Sequence, residues 1–154
     1  MAAARPRLTD LVKLDERLEA YVDAVRVTAG QADDVAAEGL TEGLAGTVFT
    51  AAVVAIERDP AGVLDMLSPE DAWEAARPIV SAIAWTQREP ARRAIDLLLQ
   101  SSVPAGRAMA GAAAGARRLD TGDALVPAMA DRSPVVRAHA YRTASSVAWI
   151  FGPR

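Results

Sequence analysis

His139 is the only histidine in the 154-residue chain, and cysteine is absent. Thiolate nucleophiles, disulfide frameworks and cysteine-ligated metal centres are thereby excluded. Serines are plentiful, so a Ser–His–Asp set has its residue types, but no nucleophile-elbow pattern surrounds any serine. A metal site would have to come from one imidazole and carboxylates, and no EF-hand spacing occurs. Carboxylates stand side by side at Asp33-Asp34 and at Glu70-Asp71. Both pairs fall in expected first helical turns, where unsatisfied N–H groups favour negative charge. Adjacent helical residues point apart, so neither pair forms an acid–base couple. The segment AGAAAGA at 110–116 follows no strand and lacks the Lys-Ser or Lys-Thr ending of a phosphate loop. These residues predict no catalytic residue, no metal and no cofactor.

Arginine is the side chain with a pattern. Arg77, Arg107 and Arg137 lie thirty residues apart, and so do Ala84, Ala114 and Ala144. Asp71, Ser101 and Asp131 each precede an arginine of that series by six positions, and Pro104 and Pro134 share the register. A fixed period of this length is the mark of a repeat architecture. The arginines have two readings: a basic stripe for phosphates or carboxylates, or a structural series within the repeats. In the same register His139 is equivalent to Ile79 and Met109, which places it at the edge of a core.

The elements that must position these residues are helical. Leu11, Leu14, Leu18, Tyr21, Val22 and Val25 recur at helical spacing and predict an amphipathic helix over about 10–28. Further helices are expected over about 31–42 and 46–58. From residue 60 three units follow, 60–89, 90–119 and 120–149, each a short helix, a turn and a longer helix. The helices are expected over 60–67 and 69–86, 90–101 and 103–118, and 122–130 and 134–150. Ser68-Pro69 and Ser133-Pro134 place a cap residue before a proline at the first helical position. Pro78 lies inside the expected 69–86 helix and predicts a kink or a split there. The core positions of the longer helices read Ile79, Val80, Ile83 and Ala84, then Met109, Ala110, Ala113 and Ala114, then His139, Ala140, Thr143 and Ala144. Gly111 and Gly115 extend the tight packing of the middle unit. The expected fold is all-α: one domain over 1–154, in which capping helices in 1–59 precede a solenoid of stacked hairpins in 60–154.

The last unit, ALVPAMADRSPVVRAHAYRTASSVA, resembles a HEAT repeat: a short helix, an Asp at the turn, a Pro opening the second helix and an Arg shortly after. The resemblance implies a ladder between adjacent units, carried here by Asp131 and Arg137, with Arg77 and Arg107 in the same column. Asp71 with Arg77 is a weaker match, and Ser101 before Arg107 departs from the pattern at the acid. The chain as a whole is similar to the N-terminal part of an uncharacterised bacterial HEAT-repeat family, through LDERLEAYVDAVRV, TVFTAAVVAIE, SAIAWT and the final unit. That family's genes are met near type VI secretion components, and it supplies no catalytic residues to carry over. In HEAT-like stacks the second helices line the concave side. Trp85, Arg88, Gly111, Gly115, Arg118, Tyr141, Arg142, Ser145 and Trp149 fall off the expected core face of those helices. Trp, Tyr and Arg are the types enriched at binding hot spots. Trp85, Arg88, Arg118, Tyr141, Arg142 and Trp149 are therefore the candidate protein-binding residues. Trp85 and Trp149 have an alternative role as filling between units.

Composition bounds the function classes. With 51% hydrophobic and 24% charged residues the chain is globular and not disordered. The longest charge-free run, Gly43 to Ile56, is shorter than the roughly 18 residues of a spanning helix. The opening MAAARPRLTDL lacks an apolar signal-peptide core. A cytoplasmic location is expected. The net charge of −3 conceals an asymmetry: 6 basic and 15 acidic residues in 1–75, against 11 and 5 in 76–154. A basic half attracts an acidic partner, nucleic acid included, or the acidic half of a second copy. Overall acidity and a single lysine, Lys13, speak against nucleic acid. The reading is a non-enzymatic module that binds another protein, an adaptor, chaperone or immunity partner of a secreted effector. The apolar tip Trp149, Ile150 and Phe151 suggests that the C-terminal edge pairs with another copy, as a homo-oligomer, or with a partner. A nucleic-acid binder and a HEAT-like lyase are the alternatives.

Overall fold

A computed structural model describes residues 8–27, 45–66 and 72–151, with the side chains of 65 and 147–151 left aside. The expected 31–42 helix with Asp33-Asp34, the Ser68-Pro69 cap and the Glu70-Asp71 pair lie outside the described residues. Every regular element among the described residues is helical: α1 (Leu8–Val27), α2 (Ala45–Arg58), α3 (Gly62–Asp65), α4 (Ala76–Trp85), α5 (Arg88–Leu99), α6 (Pro104–Arg117), the 3-10 turn η1 (Gly122–Leu125), α7 (Val126–Met129) and α8 (Pro134–Phe151). None of them is long and apolar enough to cross a membrane.

The helices form two layers. In one, α2, α4, α6 and α8 each pack on the next; in the other, α3, α5 and the η1–α7 turn follow one another. α5 rests mainly on α6, and α7 on α8. The helix α2, read above as part of a cap, heads the first row. Its sequence explains the place: Val48, Ala51, Ala52, Val53, Val54 and Ile56 are all buried. A helix apolar around most of its circumference needs neighbours on several sides. The same holds for α6, whose Ala105, Gly106, Ala108, Met109, Ala110, Gly111, Ala113 and Ala114 are buried. By contrast α5 buries one stripe, Ala91, Ala94, Ile95 and Leu98, and turns Arg92 and Arg93 away from it. Full burial of an Ile or Leu contributes on the order of 1.5–3 kcal/mol, so Ile56, Ile79, Ile83, Ile95 and Leu98, all fully buried, anchor the two layers.

One expectation is corrected here. The helix expected over 69–86 begins only at Ala76, after a turn at 72–74. Pro78 is then its third residue, where no intrahelical partner awaits the missing N–H, so it sits in a first turn and causes no kink. The apolar stripe of α1 is mostly uncovered. Val22 is its one buried residue, while Leu11, Leu14 and Tyr21 are exposed. α1 touches α2 near its C-terminal end, where Val25 packs on the core and Arg26 donates to both carboxylate oxygens of Glu57, at 2.8 and 2.6 Å. Arg26 also pairs with Asp23, and these two carboxylates, Glu57 foremost, raise its pKa further.

Candidate functional site

The thirty-residue register reappears as a repeated set of hydrogen bonds. Ser101 Oγ accepts the N–H of Val103 at 3.1 Å, and Asp131 Oδ1 accepts that of Ser133 at 2.8 Å. Proline opens the helix after each, at Pro104 and Pro134. One turn on, Arg107 Nη1 reaches back to the carbonyls of Ser101 and Ser102, at 2.7 and 3.1 Å. Arg137 Nη1 does the same to Asp131 and Arg132, at 2.7 and 3.0 Å. Each arginine thus pins the turn before its own helix to that helix's first turn, satisfying carbonyls at the corner.

A rung joins the two units. Arg107 Nε and Nη2 donate to Asp131 Oδ2 and Oδ1 at 2.6 and 3.2 Å, with the Asp131 side chain 9% exposed. This bidentate geometry is the strong form of a carboxylate–guanidinium pair. The Arg107 hydrogen bonds, with the Ser133 N–H second, hold the Asp131 carboxyl below its ordinary pKa. The acid's partner is therefore Arg107 of the preceding unit, and Arg137 meets only its backbone. Arg77 is exposed, and Ser101, twenty-four positions on, offers no charge for a second rung. Asp71 lies outside the described residues.

The stripe residues divide. Trp85 is half-buried and meets Phe49 of α2 edge-on, ring centroids 6.1 Å apart. That is packing between α2 and α4. Arg88 is exposed at the start of α5. Arg118 is exposed just after α6, in the left-handed region at φ 52°. Tyr141, Arg142 and Ser145 are exposed on α8. Trp149 falls in the last turn of α8, and its side chain is outside the described part. Gly111 and Gly115 do not belong to an open stripe. A Cβ on Gly111 would stand 3.1 Å from that of His139, and one on Gly115 would stand 2.8 Å from Thr143 Oγ1. These glycines are the face on which α6 receives α8. Thr143 Oγ1 fixes the contact by donating to the Gly111 carbonyl at 2.6 Å. His139 is half-buried in the same seam, and burial, with Arg142 second, lowers its pKa.

Arg117 is a structural side chain that the spacing argument passed over. Its Nη1 donates to the carbonyls of Ile83, Ala84 and Thr86 at 3.1, 2.6 and 2.6 Å. A cation on the last carbonyls of α4 matches the negative end of that helix. Its repeat-equivalents are Gln87 and Val147, so no column could reveal it. With Arg92 on the Asp120 carbonyl and Arg93 on Glu89, much of the basic half is occupied by the chain's own acceptors. An open cleft of about 540 Å³ lies between α5 and the η1–α7 turn, lined by Asp96, Leu99, Gln100, Arg107, Ala124, Pro127, Ala128 and Asp131. Among the described residues no three His, Asp or Glu side chains stand close enough to hold a metal. No family model matches the chain, and no curated protein or solved structure matches it either.

Proposed function

We propose that this chain is a HEAT-like helical-repeat module that binds another protein and catalyses no reaction. The observation that supports it best is the bond set repeated thirty residues apart, Ser101–Val103–Arg107 and Asp131–Ser133–Arg137, joined by the Arg107–Asp131 rung. The same pattern of corner hydrogen bonds at a fixed interval is what stacked hairpins require, because each hairpin must meet the next in a similar way. The exposed Arg88, Arg118, Tyr141 and Arg142, with the half-buried Trp85 and Trp149 of the last helix, are its binding residues in this reading. The resemblance to the secretion-linked HEAT-repeat family supports reading the module as a cytoplasmic adaptor, chaperone or immunity partner of a secreted effector.

Affinity capture from the native cells with mass spectrometry tests the reading, run beside a variant carrying Trp85→Ala, Arg118→Ala and Arg142→Ala together. A partner held by the parent chain and lost by the folded triple variant is the expected result. A triple variant that keeps its helical circular dichroism and still holds the partner would remove this surface from consideration.

A further inference from the structure

Two exposed helix faces in this chain complement each other. The first is on α1. Leu11, Leu14, Leu18 and Tyr21 follow at spacings of three, four and three, the a/d seam of a coiled coil. Leu11, Leu14 and Tyr21 are 44%, 58% and 54% exposed, while Val22, Val25 and the Glu57-bound Arg26, near the C-terminal end of α1, are the residues that meet the core and α2. The helix carries Asp10, Asp15, Glu16 and Glu19 against Lys13 and Arg17, with Asp23 and Arg26 paired to each other and Arg26 also bound to Glu57.

The second face is on α8. Ala138, Tyr141 and Ser145 are exposed there, beside Val135 and Arg142. Thirty residues earlier the same positions are Ala108, Gly111 and Gly115, the face of α6 that α7 and α8 cover. Ala108 is buried with Leu125, Ala128, Val136 and Ala140, and the two glycines lie against His139 and Thr143. The outward face of α8 thus stands in the register that one unit earlier receives a helix. It carries Arg137 and Arg142 and no acid, with Arg132 exposed just before it.

We propose that α1 of one copy of this chain docks on the outward face of α8 of a second copy. The leucine seam supplies apolar area, and the acids of α1 meet the arginines of α8. α1 and α8 flank opposite ends of the row α2–α4–α6–α8, so the joint uses two different surfaces. It is heterologous and propagates head to tail, with no two-fold closure. It shares Tyr141 and Arg142 with the partner surface proposed above but uses neither Trp85 nor Arg118, so it can fail while those two residues still bind a partner.

Sedimentation velocity on the 154-residue chain reads the outcome directly. The parent chain forms species larger than a dimer as concentration rises, and added salt reverses this. Leu14→Asp spoils the α1 seam, and Ala138→Glu puts an acid on the α8 face; both positions are exposed. Each variant alone sediments as a monomer, its association weakened roughly tenfold or more. Mixed in equal amounts they form a dimer that grows no further, because one good α1 meets one good α8. A parent chain that stays monomeric at every concentration overturns the proposal. So does an Ala138→Glu chain that still self-associates, which would mean α1–α1 pairing, and so does a mixture that remains monomeric. Should either variant lose its helical circular dichroism, Leu11→Asp and Ser145→Glu replace them.

Discussion

Arg107 and Asp131 stand twenty-four residues apart in sequence and face each other fork to fork, at 2.6 and 3.2 Å, across the boundary between two helical hairpins. The same aspartate accepts the Ser133 N–H and, through its carbonyl, Arg137. One residue therefore closes its own corner and ties it to the preceding unit. Asp131→Asn keeps the shape but removes the charge, and it should cost about 1–3 kcal/mol in urea unfolding. The pH dependence has a definite sign. A carboxyl whose folded pKa lies below the ordinary 3.8 stabilises the fold above that value and loses the contribution as pH falls through the folded pKa. The acid limb of the stability curve should be shallower in Asp131→Asn than in the parent chain.

The preceding rung is missing for want of a charge. Ser101 occupies the column of Asp131, and Arg77 that of Arg107, yet Ser101 can only cap its own turn. Ser101→Asp keeps the oxygen that accepts the Val103 N–H and puts a carboxylate in the register that, one unit later, pairs Asp131 with Arg107, so its expected partner is Arg77. A gain of roughly 0.5–1 kcal/mol is expected, as for a partly exposed pair. Repeating the substitution in an Arg77→Ala background separates the new rung from better capping. If the gain survives there undiminished, the rung has not formed.

Much of this was legible in the sequence, for reasons that the bonds now make plain. The period of thirty is visible because corner chemistry needs particular residues: an oxygen at 101 and 131, proline at 104 and 134, arginine at 107 and 137. The repeat columns found Met109, Ala110, Ala113 and Ala114 of α6 and Ile79 and Ile83 of α4, but Val80 and Ala84 are only half-buried and the buried Ala82 was not among the expected positions. What the sequence hid depends on partners distant along the chain. The stripe drawn through Gly111 and Gly115 fails because a residue off one core face faces a second neighbour when helices stack in a row. Arg117 was invisible because its three carbonyls, at the end of α4 and just past it, lie more than thirty residues away. The leucines of α1 repeat as a core stripe would, and periodicity cannot distinguish a face already covered from one left open.

The seam between α6 and α8 should show strong coupling. Gly115→Ala gains helix propensity of about 1 kcal/mol but drives a methyl group to within 2.8 Å of Thr143 Oγ1. Thr143 cannot turn away without abandoning its buried bond to the Gly111 carbonyl. The net effect should be a loss of about 1–3 kcal/mol, as for overpacking in a tight core. Thr143→Ala loses the hydrogen bond and leaves the Gly111 carbonyl one partner fewer, yet it opens the space. The double variant Gly115→Ala/Thr143→Ala should therefore be more stable than the two separate losses predict. Simple additivity in denaturant midpoints would show that the two side chains do not compete for this site.

His139 sets a second pH window, distinct from that of Asp131. Burial in the α6–α8 seam, aided by the nearby Arg142, lowers its folded pKa from the ordinary 6.5. For a histidine the depressed value means that the unfolded chain takes up the proton first. Stability is full above about pH 6.5 and falls as pH drops from there through the folded pKa. His139→Met installs the side chain found at the equivalent position 109, flexible enough to lie against Gly111 at a cost under about 1.5 kcal/mol. Thermal melts of the parent chain should show a falling midpoint as the pH is lowered from about 7.5 to about 5.5. The same melts of His139→Met should be nearly flat over that interval, while both proteins still lose stability at the lower pH where Asp131 is protonated. Equal slopes in the two proteins above pH 5.5 would assign the titration to another group.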